Sequence, residues 1–401
     1  MPGDGAVRSG GRYPSFLATG SSLNSRCLSP VFSKETMQRK IRVLVADDSA
    51  LMRRTLQHVI ESHPDFEMIG YARDGEDAVV KARDLKPDVV TMDINMPKMD
   101  GISAMQMIVN EDICPVVMLS SLTQSGAVTT FECMELGAFD YVGKPDGTVS
   151  SDLTSVAHEL LLKLKAAAGV GALQRTGRGR QARRRALSEE EPIRVAHGPS
   201  GGESVGNGSD FKAVVIGIST GGPGTIMEVL PLLPSEMNAA VFLIQHMPPT
   251  FTNSYAKRLN QACKLEVAEV ESGVEVRPGH CYVGRGDYHL TLFRKASGQV
   301  VVRTALTPRT LFVPSVDVTM ESVLSVYGKN TIGVLMTGIG DDGANQMVRI
   351  RQAGGHTIAE SEESSVVFGM PREAIERGGA CEVFPSWEIA KAIVNSLGAK
   401  R

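Results

Sequence analysis

Short hydrophobic runs alternate with longer amphipathic segments through most of this chain. Between residues 41 and 167, five apolar runs of strand length alternate with segments in which apolar residues recur at helical spacing. The predicted strands are Ile41–Ala46, Met68–Ala72, Val89–Met92, Val116–Leu119 and Phe139–Val142. The predicted helices are Leu51–Glu61, Glu76–Leu85, Ile102–Asn110, Ala127–Leu136 and Leu153–Ala167. This alternation predicts a doubly wound α/β domain with an open sheet of buried parallel strands.

A second α/β pattern begins at Lys212. Its predicted strands are Ala213–Ile216, Val241–Ile244, Thr331–Leu335 and Thr357–Ala359. Its predicted helices are Thr225–Leu230, Ser254–Ala262, Val316–Val326, Ala344–Gln352 and Ser386–Leu397. Between Leu265 and Arg303 the apolar runs are shorter and separated by glycine turns. We therefore expect a second doubly wound, mostly parallel sheet that carries a small β-hairpin excursion.

Two stretches lack hydrophobic periodicity. Residues 1–40 are rich in Ser, Gly and Arg, and residues 168–210 combine arginine runs, the acidic run Glu189–Glu191 and a Gly/Ser-rich end. Both compositions are typical of disordered segments. We therefore predict a leader (1–40), a first domain (41–167), a flexible linker (168–210) and a second domain (211–401). The linker arginines leave nucleic-acid binding open, but adjacent acids and the lack of interleaved aromatics favour a solvated linker.

Composition narrows the class of protein. The chain has 401 residues, of which 42% are hydrophobic and 22% charged, with a formal net charge of −3. This charge points to neither nucleic acid nor a membrane surface as a partner. Six scattered cysteines without a Cys-x-x-Cys pair favour a reducing compartment over a disulfide framework or a zinc site. No apolar run approaches the roughly 18 residues of a membrane span, and the leader lacks a signal-peptide core, so we expect a cytoplasmic protein without membrane insertion.

Acidic, hydroxyl and amino side chains follow successive strands of the first domain. Asp47 and Asp48 come after the first strand, Asp93 ends the third, Ser120 ends the fourth, and Lys144 follows the fifth. Ligands bind such sheets outside the carboxyl ends of the strands. Three clustered carboxylates repel one another unless a cation joins them, and oxygen ligands favour Mg²⁺. These residues predict a phosphorylation site; the alternative is that each aspartate caps the following helix.

A second constellation follows three strands of the rear domain. The turn Gly217-Ile-Ser-Thr-Gly221 predicts a serine, Ser219, at the carboxyl end of a strand. Such a turn suits a nucleophile, but it also suits a phosphate-binding loop or a simple chain reversal. His246 ends the next apolar strand, and Asp341 and Asp342 lie in a glycine-rich turn after Leu335.

A serine hydroxyl needs a base within hydrogen-bonding distance and an acid to orient that base. If the three strands are neighbours, the hydroxyl, imidazole and carboxylate meet at one edge of the sheet, which predicts a Ser-His-Asp triad. The alternative for both aspartates is N-capping of the helix at Ala344. His280, His289 and His356 flank strand or hairpin starts, and we expect them to be surface histidines.

The first domain resembles a two-component receiver domain. The resemblance rests on Val-Ala-Asp-Asp-Ser-Ala, Met-Asp-Ile-Asn-Met-Pro-Lys-Met-Asp-Gly, Met-Leu-Ser-Ser and Tyr-Val-Gly-Lys-Pro, and covers roughly residues 41–165. It implies a flavodoxin-like sheet of order 2-1-3-4-5 and a histidine kinase as phosphodonor. It further implies the following roles: Asp93 as phospho-acceptor, Mg²⁺ at Asp48, Asp93 and the Asn95 carbonyl with Asp47 acting through water, phosphoryl contacts from Ser120 and Lys144, and Tyr141 as the aromatic switch. The alternative for Tyr141 is a half-buried aromatic at a strand end.

The second domain resembles the catalytic domain of chemotaxis protein-glutamate methylesterases, which also deamidate receptor glutamines. The resemblance rests on Gly-Ile-Ser-Thr-Gly-Gly-Pro, Gln-His-Met-Pro, Pro-Ser-Val-Asp-Val, Met-Thr-Gly-Ile-Gly-Asp-Asp-Gly and Val-Val-Phe-Gly-Met-Pro-Arg-Glu-Ala, and spans Lys212 to Leu397. It implies the triad Ser219, His246 and Asp342, an oxyanion donor in the backbone of Ile339, and methyl-accepting chemotaxis receptors as substrate. No cofactor is expected in this domain. Asp341 competes for the acid role, and Asp342 is preferred only by motif position.

Together the two resemblances imply a phosphorylation-activated hydrolase in which the receiver covers the Ser219 cleft until Asp93 is phosphorylated. The chain order Ser, His, Asp differs from that of α/β-hydrolases, so that fold is not expected. The alternative function is a response regulator whose second domain is a non-catalytic binding module. An acyl probe directed at serine discriminates the two, since only the enzyme predicts labelling of Ser219.

Overall fold

The computed structural model describes residues 39–120, 124–144, 150–175 and 211–398. The predicted leader up to residue 38 and the predicted linker from residue 176 to 210 lie outside this part of the chain. Within the described residues, none of the helices combines the length and apolar character that crossing a lipid bilayer requires.

The first domain is a five-stranded parallel sheet with helices between its strands, as predicted. Its strands are β1 (Ile41–Ala46), β2 (Phe66–Ala72), β3 (Val89–Asp93), β4 (Val116–Ser120) and β5 (Asp140–Gly143). Its helices are α1 (Ala50–Glu61), α2 (Gly75–Leu85), α3 (Gly101–Asn110), α4 (Gln124–Glu135) and α5 (Ser150–Arg175). The strand order β2-β1-β3-β4-β5 confirms the expected 2-1-3-4-5 topology.

Side-chain caps fix where the first helices begin. Ser49, Asp74 and Asp100 each accept a hydrogen bond from the backbone N–H three residues on, which satisfies one of the unpaired donors of the first helical turn. Asp47 and Asp48 are therefore not the N-cap of α1, and their carboxylates lie before the helix.

The second domain is built on a seven-stranded parallel sheet. Its order is β14-β13-β12-β6-β7-β9-β8. These strands are β6 (Lys212–Ile218), β7 (Ala239–Gln245), β8 (Glu266–Glu269), β9 (His280–Val283), β12 (Thr331–Leu335), β13 (His356–Glu360) and β14 (Glu382–Phe384). The helices are α6 (Gly222–Thr225), α7 (Pro249–Ala262), α8 (Val316–Tyr327), α9 (Ala344–Gln352), α10 (Met370–Glu376) and α11 (Ser386–Gly398). The doubly wound class is confirmed for both domains.

The hairpin excursion is confirmed but smaller than the region assigned to it. It consists of β10 (His289–Arg294) and β11 (Val300–Ala305), which pair antiparallel as a separate two-stranded sheet. The hairpin packs on α8, where Ser322 accepts the Leu292 N–H at 2.8 Å. The earlier runs, β8 and β9, instead extend the main sheet as parallel strands beside β7. Short β-like runs predict strands but do not reveal which sheet each strand joins.

Two predicted helices have different extents in the structure. In place of one helix over Thr225–Leu230, the short α6 is followed by two 3-10 turns, Ile226–Glu228 and Leu230–Leu232. Pro231 lacks a backbone N–H and disfavours helical geometry in the residue before it, so a regular helix does not form. Helix α5 continues beyond the predicted end at Ala167 to Arg175, because a glycine within a helix costs only about 1 kcal/mol and does not by itself end it.

The cores of the two domains are continuous through a cluster of four buried aromatic rings. Phe131 of α4 stacks on Tyr255 of α7 with ring centroids 5.6 Å apart, and Tyr141 of β5 stacks on Phe251 of α7 at 4.8 Å. Helix α4 also packs against α6. The receiver-like domain is thus packed against the segment that immediately follows Ser219.

Candidate functional site

Ser219 lies directly after β6, in a turn that only glycines allow. Gly221 has a φ of +75°, and a Cβ there would lie 2.4 Å from Cβ of Val366. This left-handed conformation and close approach exclude larger residues. The Ser219 N–H donates to the Thr337 carbonyl at 2.9 Å, and Gln245 Nε2 donates to the Ser219 carbonyl at 2.9 Å. The backbone of the serine is therefore fixed from both neighbouring strands.

His246 lies beside Ser219 because β6 and β7 are parallel neighbours. Their register pairs Ile218 with Gln245, so the next residue of each strand lies at the same edge of the sheet. His246 Nδ1 is 3.1 Å from Ser219 Oγ. The ring of Phe312 stacks on the imidazole, with centroids 4.2 Å apart and planes 10° from parallel. The stack holds the imidazole in the orientation that reaches the serine.

Asp342 completes the chain of hydrogen bonds. Its Oδ2 lies 2.8 Å from His246 Nε2. The same carboxylate accepts hydrogen bonds from the Ser315 hydroxyl at 2.8 Å and from the backbone N–H groups of Val316 at 2.7 Å and Asp317 at 2.9 Å. Burial opposes the charge, but the hydrogen bonds from His246 and from these N–H groups outweigh it and hold the pKa of Asp342 below its usual value.

Asp341 does not share this position. It is exposed, and its carboxylate pairs with Arg377 Nη2 at 2.6 Å. Nor does either aspartate side chain cap α9, whose N-cap is Gly343 and has no side-chain hydrogen bond. The structure thus brings Ser219, His246 and Asp342 together and leaves Asp341 outside.

Ile339 is half-buried in the loop after β12, next to Gly338. A Cβ on Gly338 would lie 2.8 Å from Ser219 Cβ, so this loop runs directly against the serine. An oxyanion donor must lie where negative charge develops during acyl transfer, and the Ile339 N–H belongs to the loop that runs against the serine. Its role as oxyanion donor stays a prediction.

Three supporting residues were missed from the sequence. Ser315 lies in the motif Pro-Ser-Val-Asp-Val, and its hydroxyl donates to Asp342. Asp317 is half-buried beside Asp342; burial, and then the charge of Asp342, raise its pKa to about 6. Glu360 is fully buried and accepts the Thr337 N–H at 2.7 Å. A serine before a helix and an acid ending a strand were the available signals, but their partners lie far along the chain.

The prediction of a surface position for His289 is wrong. Its side chain is fully buried, with Nδ1 3.1 Å from the Ser315 nitrogen and Nε2 2.8 Å from the Pro308 carbonyl oxygen. The folding of the segment between β11 and α8 over β10 buries it. His280 and His356 lie at strand starts and pair with Glu266 and Glu382.

An acidic cluster lies at the carboxyl edge of the first sheet. Asp47, Asp48 and Asp93 each offer a carboxylate oxygen within 4.8 Å of the others. Lys144 Nζ is 3.0 Å from Asp47 Oδ2 and 2.8 Å from Asp93 Oδ2. Burial raises the pKa of Asp93, although the ammonium of Lys144 opposes this. The three carboxylates form an oxygen-only donor set, which suits a divalent cation such as Mg²⁺.

The remaining predicted residues of this domain lie at the end of β4, in the loop after β3 and in β5. Ser120 is buried at the end of β4, and its hydroxyl accepts a hydrogen bond from Thr130 at 2.8 Å. Asn95 is exposed, and its backbone N–H bonds the Asp93 carboxylate. Tyr141 is buried rather than half-buried, with Lys163 Nζ 4.9 Å from its ring centroid. Its stack on Phe251 connects the fifth strand to the second domain.

Comparisons with known proteins cover both domains. The family described as CheB methylesterase matches residues 214–393, and the response regulator receiver domain matches residues 43–150. Protein-glutamate methylesterase/protein-glutamine glutaminase 3 of Syntrophomonas wolfei subsp. wolfei is 56% identical over 360 residues, which cover 89% of this chain and 99% of that protein. Protein-glutamate methylesterase/protein-glutamine glutaminase 2 of Carboxydothermus hydrogenoformans is 50% identical over 359 residues, covering 88% and 98%. The crystal structure of the Thermotoga maritima CheB methylesterase catalytic domain is 40% identical and covers 46% of this chain and 98% of its own, with a TM-score of 0.45.

Proposed function

Because this chain belongs to the protein-glutamate methylesterase/protein-glutamine glutaminase family, we propose that it hydrolyses γ-methyl esters of glutamate, and amides of certain glutamines, on methyl-accepting chemotaxis receptors. The observation that carries the proposal is the continuous hydrogen-bonded chain from Ser219 through His246 to Asp342. A nucleophile, a base and an orienting acid in this order are what acyl transfer to serine requires.

The proposed reaction has two halves. Ser219 Oγ attacks the γ-carbonyl carbon while His246 Nδ1 takes the hydroxyl proton, and the backbone N–H of Ile339 stabilises the negative oxygen. His246 then returns the proton to the leaving group, so methanol departs from an ester and ammonia from an amide. Water attacks the acyl-enzyme by the same route, which frees Ser219 and leaves a glutamate carboxylate on the receptor. Asp342 stays ionised throughout and stabilises the imidazolium.

The acidic cluster of the first domain is proposed as the phosphorylation site. Asp93 accepts a phosphoryl group from a histidine kinase. Asp48, Asp93, the Asn95 carbonyl and Asp47, the last through water, would hold Mg²⁺, which when bound neutralises charge on the phosphoryl oxygens. Ser120 and Lys144 contact those oxygens, and the ammonium position between two carboxylates supports this for Lys144.

The two domains are proposed to be coupled by occlusion. The contact of α4 with α6, close to Ser219, supports a receiver that limits access of a bulky protein substrate until Asp93 is phosphorylated. We further propose the boundaries 41–167 and 211–401 for the two domains, with α5 continuing past the first boundary to Arg175. We also propose a cytoplasmic location, where kinase and receptor tails are accessible.

Substitution of the nucleophile tests the activity. Ser219→Ala is expected to lower methanol release from methylated receptor at least 10³-fold, since the covalent route is lost. Ser396→Ala, which removes a buried hydroxyl bonded within α11, serves as the matched control and should retain activity. Near-wild-type release by Ser219→Ala, or the failure of a serine-directed acyl probe to label Ser219, would favour a binding module instead.

A further inference from the structure

Residues 306–312, here called the arm, connect β11 to α8 and pass beside the catalytic base. Leu306 and Leu311 of the arm are 67% and 69% exposed. The next residue after Leu311 is Phe312, whose ring stacks on His246. Two large apolar side chains are therefore presented to solvent on the segment that lies against the candidate active site. Single exposed apolar side chains are ordinary on protein surfaces, but these two lie on the segment whose Phe312 stacks on His246.

The buried side chain of His289 holds the arm in place through hydrogen bonds. A backbone N–H can only donate, so the bond from Ser315 N–H requires a lone pair on His289 Nδ1. The proton then lies on Nε2 and is donated to the Pro308 carbonyl at 2.8 Å. Within the arm, the Thr310 hydroxyl donates to the Phe312 carbonyl at 2.6 Å. The same imidazole thus ties the arm to Ser315, which also bonds Asp342, and the surface is formed before any substrate binds.

Two guanidinium groups border this surface. Arg309 is exposed within the arm, and Arg285 is exposed in the turn after β9, the strand next to β7. That turn contacts the residue that follows the arm, because the Asp287 N–H donates to the Val313 carbonyl at 3.2 Å. Arg285 lies over the Tyr288 ring at 5.1 Å. Among the described residues, neither arginine forms an ion pair, so both charges are available to carboxylates of a partner.

We propose that the arm, together with Arg285, docks the acidic receptor segment that carries the target glutamyl side chain. Leu306 and Leu311 pack against apolar side chains of that segment, and Arg309 and Arg285 pair with its carboxylates. This inference rests on the proposed function and adds how the substrate protein is recognised. A protein segment fits better than an anionic membrane, because membrane attraction generally uses clusters of about four to eight basic residues, whereas this surface combines two arginines with apolar groups around the catalytic base.

The test is steady-state hydrolysis of methylated receptor by the phosphorylated full chain carrying Arg285→Gln and Arg309→Gln. We expect KM to rise about three- to tenfold with little change in kcat, the range for losing two exposed charge pairs. The KM of the wild type should rise with salt, and that of the double variant less so. Leu306→Ser with Leu311→Ser should raise KM by a similar factor without altering the salt dependence.

Lys295→Gln is the charge-matched control. Lys295 lies in the turn joining β10 to β11, at the end of the hairpin opposite the arm, where it bonds Gln299. Its removal should leave KM unchanged. Labelling of Ser219 by a small acyl probe separates failure of the docking proposal from failure of the proposed function. If Ser219 is labelled but the arginine variant has an unchanged KM, the docking proposal alone is overturned. If Ser219 of the wild type is not labelled, the proposed function is overturned. Loss of binding to anionic vesicles together with an unchanged receptor KM would assign the surface to a membrane and also overturn the proposal.

Discussion

At the scale of single residues, the candidate active site depends on the charge of Asp342. Its two oxygens accept bonds from His246, a hydroxyl and two backbone N–H groups. All of these donors favour the ionised form, so the carboxylate stays charged although it is largely buried. The N-terminus of α8 thereby stabilises the negative charge of Asp342 with its free N–H groups, as helix N-termini stabilise bound anions.

Replacing Asp342 by Asn is expected to reduce kcat by about 10³- to 10⁴-fold, because an amide nitrogen cannot accept the His246 proton or the N–H groups of α8. Methanol release from methylated receptor measures the effect, and a thermal melt checks that the variant folds. Asp341→Asn is the neighbouring control: it removes only the exposed pair with Arg377 and should retain most of the activity. Equal losses in both variants would contradict the assignment of Asp342.

Glu360 is a second buried carboxylate at this scale. Burial raises its pKa to about 7, although bonds from the Ser364 hydroxyl and the Thr337 N–H oppose the rise. A pKa raised above the unfolded value means that folding favours the protonated form. The stabilisation is complete below the unfolded pKa of about 4.5 and is lost as pH rises through about 7.

Glu360→Gln is therefore expected to unfold with a free energy that changes less with pH than that of the wild type. An amide keeps one acceptor for the Thr337 N–H and a donor for Ser364 without a buried charge. The variant should gain on the order of 1 to 3 kcal/mol relative to wild type between pH 5 and pH 8. Urea unfolding at the two pH values measures this, with Glu376→Gln, an exposed position on α10, as control. If the difference in unfolding free energy between variant and wild type is the same at pH 5 and pH 8, Glu360 does not titrate in this range.

At the scale of elements, the turn between β6 and α6 determines where Ser219 lies. Ser219 is bonded to Thr337 of the strand-end loop on one side and to Gln245 of β7 on the other. Gly221 follows with a positive φ and no space for a side chain. The position of the serine is thus set by three adjacent strands and not by the turn alone.

Gly221→Ala is expected to lower kcat at least tenfold and to destabilise the fold by about 1 to 3 kcal/mol, since a Cβ would meet Val366 at 2.4 Å in a strained conformation. Gly224→Ala in the adjoining helix α6 is the control, because a Cβ there meets no atom within 4 Å. Its activity and melting temperature should stay near those of the wild type. Equal behaviour of the two variants would contradict this account of the turn.

At the scale of the whole molecule, the two domains share buried aromatic contacts. Phe131 and Tyr141 of the first domain stack on Tyr255 and Phe251 of the second. Tyr141 lies in β5, the strand that precedes Lys144, whose ammonium lies between Asp47 and Asp93. The acidic cluster and the domain contact are therefore joined by one strand, through which the proposed phosphorylation of Asp93 would reach the second domain.

A fragment starting at Phe211 is expected to hydrolyse methylated receptor faster than the unphosphorylated full chain, by the roughly 5- to 150-fold of typical coupling energies. The reason is that removal of the first domain opens access to Ser219. Phe131→Ala in the full chain, which weakens the stack on Tyr255, should raise the unphosphorylated rate in the same direction. Equal rates for fragment and full chain would count against occlusion.

Much of the fold and of the candidate site could be predicted from the sequence. The strand ends at Ser219 and His246 could be located because residues that end parallel strands share one edge of a sheet. Three features could not be predicted, because each depends on which segments pack together. They are the end of helix α6 at Thr225, the parallel pairing of β8 and β9, and the burial of His289. Local propensity carries little information about such long-range contacts.

The sequence by itself determined which chemical groups stand at which strand ends, because alternating apolar and amphipathic segments specify the strands and the residues that terminate them. Only the tertiary structure decided between Asp341 and Asp342, since the choice depends on α8, whose N–H groups meet one carboxylate while Arg377 pairs with the other. The tertiary structure alone likewise showed that the arm packs over His289. Periodicity is a property of neighbouring residues, whereas the charge and orientation of a buried group are set by partners that only folding brings near.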